Sequence, residues 1–208
     1  MNFYTNVLQR GNNLHVRAVV NGERQNFKVR YRPTLFSPVN QETGYKTLEG
    51  TPVLPRYFDT MKEAKDWVES YGSQPELVYG NTQYAYNYIS DTYEGHIDWD
   101  LDRILIVTID IEVECENGFP AVKTAEEPML SITIKNHQNK KIVVFGLHEF
   151  QNDRDDVTYI LCKNEDNLLQ KFLEFWEKHQ PDIITGWNTE FFDIPYLCNR
   201  ITKLFGED

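Results

Sequence analysis

Cysteine is scarce: Cys115, Cys162 and Cys198 are all that 208 residues contain, and no two stand at CxxC spacing. That excludes a disulfide frame and a cysteine zinc cluster and leaves reduced thiols as the expectation. Long apolar runs are absent as well. No stretch of eighteen apolar residues occurs and the first residues lack the apolar core of a signal peptide, so we expect a soluble protein acting in the cytoplasm. No internal repeat or low-complexity stretch interrupts the chain. Basic residues are in short supply: 21 Lys and Arg against 32 Asp and Glu leave a net charge of −11, which argues against a general nucleic-acid coat. Apolar residues are not scarce. At 40% hydrophobic and 13% aromatic the chain can furnish a real core, and its length allows one large domain or two small ones.

The charge is unevenly spread. Residues 1–32 carry six basic side chains (Arg10, Arg17, Arg24, Lys28, Arg30 and Arg32) against the single acid Glu23. Residues 101–208 carry eleven basic and twenty acidic side chains. A basic opening segment joined to an acidic half suits a protein that holds a phosphate backbone with one part and collects metals with the other. A merely solvated Arg-rich strand face fits the opening segment equally well.

Hydrophobic periodicity divides the chain in the same place. Residues 1–57 read as short strands, with Asn13–Asn21 and Gln25–Arg32 flanking Gly22; Phe27, Val29 and Tyr31 alternate against Lys28, Arg30 and Arg32, the pattern of a hairpin with one basic face. Thr60 and Glu63 form a capping box for a helix with Met61, Ala64, Trp67, Val68 and Tyr71 inward, ended by Gly72. Tyr84, Tyr86 and Tyr88 stand at strand spacing; such a row either packs inward or offers rings to nucleic-acid bases. From about Leu101 strands are expected over 103–113, 129–136, 141–147 and 157–162, then a helix over about 165–180 stopped by Pro181, a short strand 183–186 and a last helix.

Chemistry concentrates in two places. Asp110-Ile111-Glu112 ends a strand that is apolar throughout Ile104–Val107, as in a strand covered on both faces. With a side-chain period of two, Asp110 and Glu112 project from one face. Such carboxylates repel each other unless a cation or proton lies between them, and hard oxygen ligands so presented suit Mg²⁺ or Mn²⁺ and phosphate-ester chemistry. The same pair on a solvated sheet face needs no metal. The second cluster runs from Asn188 to Asp193, about eighty residues later, after the apolar turn Ile183-Ile184-Thr185-Gly186-Trp187. Asp193 reads as the N-cap of the last helix, with Pro195 in its first turn, Leu197, Ile201, Leu204 and Phe205 at helical spacing, and Gly206 at its end. From a helix start a carboxylate also points readily into a cleft beside a sheet.

Taken together, Asp110-Ile111-Glu112 and the Asn-x-x-x-Phe-Asp of Asn188, Phe192 and Asp193 resemble the 3′–5′ exonuclease region of family B DNA polymerases, in its T-even-type bacteriophage subgroup. Gly118-Phe119-Pro120, Tyr88–Tyr93, Asn199-Arg200-Ile201 and Phe205-Gly206-Glu207 add to the resemblance, which covers essentially the whole chain. Ile109 departs from it, standing where the family often has an aromatic.

The resemblance implies an α+β to α/β chain: a β-rich polymerase N-terminal domain over 1–100, then a partial ribonuclease-H-like 3′–5′ exonuclease domain over 101–208. It implies metal-dependent proofreading within a replicative DNA-directed DNA polymerase, a nucleotidyltransferase, with Asp110, Glu112 and Asp193 as catalytic residues and ligands of two Mg²⁺ or Mn²⁺ ions. Asn188, Phe119 and Phe192 would meet a single-stranded DNA 3′ end, and Arg17, Lys28 and Arg30 would meet nucleic acid from the basic segment. The family's third motif, a Tyr with a further Asp about a hundred residues on, does not occur before Asp208, nor do palm, fingers or thumb. The chain is therefore expected to be a piece of a longer polymerase or the first product of a split gene, weak or inactive as an exonuclease by itself. Its expected partners are single-stranded 3′ ends, the template strand, the remaining polymerase polypeptide and, through that polypeptide, a sliding clamp. The alternative is a non-catalytic nucleic-acid-binding or scaffold half that needs a second chain.

Overall fold

The computed structural model describes residues 2–116 and 118–206, and its mixed α+β chain divides into two compact units, Met1–Arg103 and Ile104–Asp208. In the first unit β1 (Phe3–Arg10), β2 (Asn13–Val20) and β3 (Glu23–Val29) form an antiparallel sheet in that order. Asn21 and Gly22, both at positive φ (54° and 84°), make the tight β2–β3 turn that such a pair favours. A second small sheet has the order β4 (Thr34–Pro38), β6 (Pro52–Tyr57), β5 (Tyr45–Lys46). Helices α1 (Met61–Ser70) and α2 (Tyr84–Thr92) cover the inner face of the first sheet, where Leu14, Val16 and Ala18 are buried with Met61, Ala64, Tyr84 and Tyr88. Thr60 caps α1 by accepting the Glu63 N–H at 3.1 Å, while Glu63 reaches back to the N–H of Asp59, one residue before the cap.

The tyrosine row is helix α2, not a strand. Tyr84 and Tyr88 are four apart, a spacing that satisfies a period of two and a helical face alike. The local polar residues decide between them: Asn81 accepts the Gln83 N–H at 2.8 Å, and Asn87 reaches back to the Asn81 carbonyl at 2.6 Å. Tyr84 and Tyr88 are consequently buried while Tyr86 faces solvent.

The second unit is a five-stranded sheet of order β10 (Val157–Leu161), β9 (Ile142–Gly146), β8 (Met129–Asn136), β7 (Ile106–Val113), β11 (Ile183–Thr185). Strands β7, β8 and β9 run antiparallel in turn, while β10 lies parallel to β9 and β11 parallel to β7. Helix α3 (Glu165–His179) begins at Asn164, which accepts the Asn167 N–H at 3.0 Å; Glu165 and Asp166 in its first turn and Lys178 and His179 in its last suit the helix dipole. Helix α4 (Asp193–Phe205) follows β11. Both helices pack on the face of the sheet that carries Val107, Ile109 and Ile111, through Leu168, Leu169 and Phe172 of α3 and Tyr196 and Leu197 of α4. Strand β7 is therefore closed on one face only. Its other face carries Asp110 and Glu112, both exposed, and the expectation of cover on both sides is corrected accordingly. Among the described residues no helix is long and apolar enough to cross a membrane.

Candidate metal and nucleic-acid site

The two acidic motifs meet at the edge of β7. Strand β11 pairs with β7 only from Ile183–Ile106 to Thr185–Thr108 and then leaves the sheet at Gly186. A side chain at Gly186 would strike the Thr189 hydroxyl and lie 2.6 Å from the Ile109 carbonyl oxygen, so the departing chain hugs β7 in a way only glycine permits. Past that point the edge of β7 has no strand partner among the described residues, and the N–H of Ile111 donates instead to Asp193 Oδ1 at 3.1 Å. This bond sets Asp193 beside the strand between the two residues whose side chains are Asp110 and Glu112.

Asp193 is thus not the cap of α4. Phe192 occupies that position, with no side-chain capping bond, and Asp193 is the first residue of the helix with its carboxylate turned to β7. Buried to 3% exposure, that carboxyl is pushed above the ordinary carboxylate range by desolvation; the Ile111 N–H pulls it down and the nearby charge of Asp110 pushes it further up. Oxygen donors of this kind suit a hard divalent cation, which would also relieve the repulsion between Asp110 and Asp193. Among the described residues, however, no three His, Cys, Asp or Glu side chains are grouped closely enough to hold an ion unaided.

Aromatic rings cluster where α4 begins. Asn188, at φ 58°, turns the chain after β11, and its carbonyl accepts the N–H groups of Phe191 (3.1 Å) and Phe192 (2.9 Å). The Phe192 ring lies 4.9 Å from that of Phe119 and 5.5 Å from that of Tyr196. Phe119 is 79% exposed, an open ring against Phe192 rather than a core residue. Register carries the open face further. Asp110 stands opposite Thr133, Thr133 opposite Val144, and Val144 opposite Tyr159, so a straight row of about 15 Å joins the carboxylate to Tyr159 at the usual strand spacing. At its far end Ser131, Val144, Phe150 and Tyr159 line a hollow of about 330 Å³.

Arg17 and Lys28 lie in the first unit, on the outer face of its β1–β3 sheet. Arg17 stands opposite Asn26 and Lys28 opposite His15, all at positions alternate to the buried Leu14, Val16 and Ala18. Arg10 and Arg24 share that face by register, and Arg30 follows just beyond β3, exposed. The structure therefore gathers Asp110, Glu112, Asp193, Phe119, Asn188 and Phe192 in one unit and the three basic residues in the other.

The family described as DNA polymerase family B, exonuclease domain, matches residues 66–208, well over half of the sequence. This chain belongs to that family. The DNA-directed DNA polymerase of Escherichia phage RB69 is 32% identical over 99% of this chain and 26% of its own length, and that of Enterobacteria phage T4 is 30% identical over the same shares. The chain thus spans about a quarter of the length of these family B relatives. A family B DNA polymerase structure from the archaeon Pyrobaculum calidifontis superposes with a TM-score of 0.63 at 17% identity, covering 98% of this chain and 32% of that one, which speaks to the fold alone.

Sequence motifs gave no role to Glu165, Thr189, Tyr196 or Arg200. Tyr196 and Arg200, four apart on α4, are buried on its inner side, and Arg200 forms a two-point ion pair with Glu165 of α3 at 2.7 and 2.6 Å. Removing one partner of such a pair typically costs about 3–5 kcal/mol, because the other charge is left buried alone. An arginine four residues from an inward tyrosine was the available signal. The Thr189 hydroxyl is buried with no hydrogen-bond partner, and nothing in the sequence marks it.

Proposed function

We propose that this chain is the N-terminal portion of a phage-type replicative DNA-directed DNA polymerase and carries part of a metal-dependent 3′–5′ proofreading exonuclease on a ribonuclease-H-like sheet. The observation that supports it best is the docking of Asp193 onto the Ile111 N–H, which brings the second acidic motif to the strand that exposes Asp110 and Glu112. Asp110, Glu112 and Asp193 would hold Mg²⁺ or Mn²⁺, which when bound lowers the pKa of the attacking water and offsets charge on the scissile phosphate. The chain's own residues supply the rest. Phe119 and Phe192 offer ring faces to the terminal base, and Asn188 holds the turn that presents Phe192. The open row from Asp110 to Tyr159 gives the preceding nucleotides a path across the sheet. Arg17, Lys28 and Arg30 would contact phosphates elsewhere on the nucleic acid. A further carboxylate from a later polymerase segment would complete the ligand set, and palm, fingers and thumb, with a sliding clamp beyond them, would be partners of the same protein.

A second reading has its own support. Ile183, Ile184, Trp187 and Phe191 are all exposed around β11, an apolar patch suited to contact with another polypeptide. On that reading the chain is a nucleic-acid-binding or scaffold half that acts only once its partner is bound. Degradation of a 3′-labelled single-stranded oligonucleotide in Mn²⁺ separates the two. Cleavage that Asp110→Ala, Glu112→Ala and chelation each abolish supports the exonuclease; cleavage indifferent to all three refutes it, and a folded, inert chain whose single-strand binding is salt-sensitive but independent of metal favours the binding or scaffold half.

A further inference from the structure

Between β7 and β8 the chain runs from Glu114 to Pro128 without strand or helix among its described residues, and this connection carries Phe119. Its ends are closed by the Glu114 N–H donating to the Pro128 carbonyl at 2.9 Å. Its middle is held by one face of α4. Arg200 uses Nε and Nη2 for Glu165 and directs Nη1 to two successive carbonyls, of Ala125 at 2.9 Å and Glu126 at 2.8 Å. Tyr196 donates its hydroxyl to the Glu127 carbonyl at 2.7 Å, and Asn199 Nδ2 donates to the Val122 carbonyl at 2.9 Å. Residues 196, 199 and 200 lie at i, i+3 and i+4, so a single helix face is devoted to the carbonyls of one loop. Glu165 completes the arrangement by also accepting the Met129 N–H at 2.7 Å, where the loop enters β8.

An irregular loop ordinarily samples many conformations, and an aromatic ring on it would lose that freedom on each binding event. Here the freedom is removed during folding. The guanidinium's fixed fork suits the task, because it can satisfy a carboxylate and two carbonyls in one plane, which an ammonium cannot. Val122, the first anchored carbonyl, lies three residues beyond Phe119, and the ring it steadies rests 4.9 Å from Phe192 at the start of α4. One helix therefore presents Phe192 at its cap and Asp193 in its first turn, and fixes the partner ring from about its second.

We propose that Arg200, assisted by Asn199, is a positioning residue: it fixes the Glu114–Pro128 connection so that Phe119 and Phe192 form a preset clamp for the terminal base of a single strand. This rests on the exonuclease reading above. The test is a double-substitution cycle on the whole chain, read by fluorescence anisotropy of a labelled oligothymidylate in EDTA, where stacking is measured without metal. Phe119→Ala is expected to weaken binding about tenfold, the scale of one base–aromatic stack. Arg200→Lys and Asn199→Ala should each weaken it severalfold, and adding Phe119→Ala to either should cost less than about twofold more, since the ring is already misplaced. Asn199 is exposed, so its variant carries the cycle even where Arg200→Lys does not fold. A Phe119→Ala penalty that stays tenfold in both backgrounds overturns the positioning role and leaves the site reading standing. An unsubstituted chain that binds no oligothymidylate, or binds it equally with Phe119→Ala, overturns the site reading and the clamp together.

Discussion

Replacing Asp193 by asparagine and by alanine separates two things its carboxylate does. The first is structural: Oδ1 accepts the Ile111 N–H where β11 has left the edge of β7. Asparagine keeps an acceptor of the same size; alanine leaves the N–H unpaired, at a cost of about 1–3 kcal/mol. The second is electrostatic. Burial and the charge of Asp110 raise the carboxyl's pKa, so in the absence of metal the folded state holds the proton more tightly than the unfolded state. Such a group adds stability at low pH, and that contribution falls as pH rises past the unfolded value of about 3.8. At pH 7 in EDTA the asparagine variant should therefore be at least as stable as the parent and about 1–3 kcal/mol more stable than the alanine variant. As the pH drops toward 4 the parent should gain on the asparagine variant. Urea unfolding gives the stabilities, and hydrogen exchange at the Ile111 amide, faster only in the alanine variant, gives the local bond. Asparagine as damaging as alanine, in either measurement, would show that the acceptor is not what matters. A parent that loses ground to asparagine on acidification would overturn the electrostatic half.

Three further outcomes are expected. Thr189→Val replaces a buried hydroxyl that has no partner by a methyl group of similar size, and should raise stability by roughly 1 kcal/mol in urea unfolding; a drop of that size would mean the hydroxyl is bonded. Gly186→Ala places a methyl group against the Thr189 hydroxyl and 2.6 Å from the Ile109 carbonyl, and should cost about 1–3 kcal/mol in the same assay, with Thr189→Ala recovering only part because the backbone clash remains. Neutralising Arg17, Lys28 and Arg30 to glutamine should flatten the salt dependence of single-strand binding by about 2 in the log–log slope, roughly 0.7 for each phosphate no longer neutralised, in titrations between about 50 and 200 mM salt; an unchanged slope would leave these side chains as a solvated face.

Elements with strong periodicity are legible in the sequence. Helix α3 shows its inward Leu168, Leu169 and Phe172 and its stop at Pro181, and each of these is a local signal. The Asn21-Gly22 turn is local too. The tyrosine row of α2 reads as a strand because Tyr84 and Tyr88 fit both periods and only the side chains of Asn81 and Asn87 break the tie. Asp193 reads as a cap for a different reason. Its sequence neighbours describe a good helix start, and the competing partner, the Ile111 N–H, lies 82 residues away. The burial of Arg200 is hidden in the same way, since the carbonyls it serves are 74 and 75 residues back in the chain.

What places the acidic motifs together is the shortness of β11. Were it to run two residues further, its own backbone would pair with β7 beyond Thr108, the Ile111 N–H would find a strand partner, and Asp193 would have no reason to turn inward from the helix start. Gly186 ends the pairing by letting the chain approach the Ile109 carbonyl and depart, and the residues up to Phe192 form the turn that returns Asp193 to the vacated edge. The same departure keeps the face beside Asp110 and Glu112 clear, because the chain that leaves the sheet goes over to the face where α4 packs with Ile109 and Ile111. Site assembly is in this sense a consequence of strand length. A change that lengthened β11 would remove the Asp193–Ile111 bond without altering any of the three carboxylates.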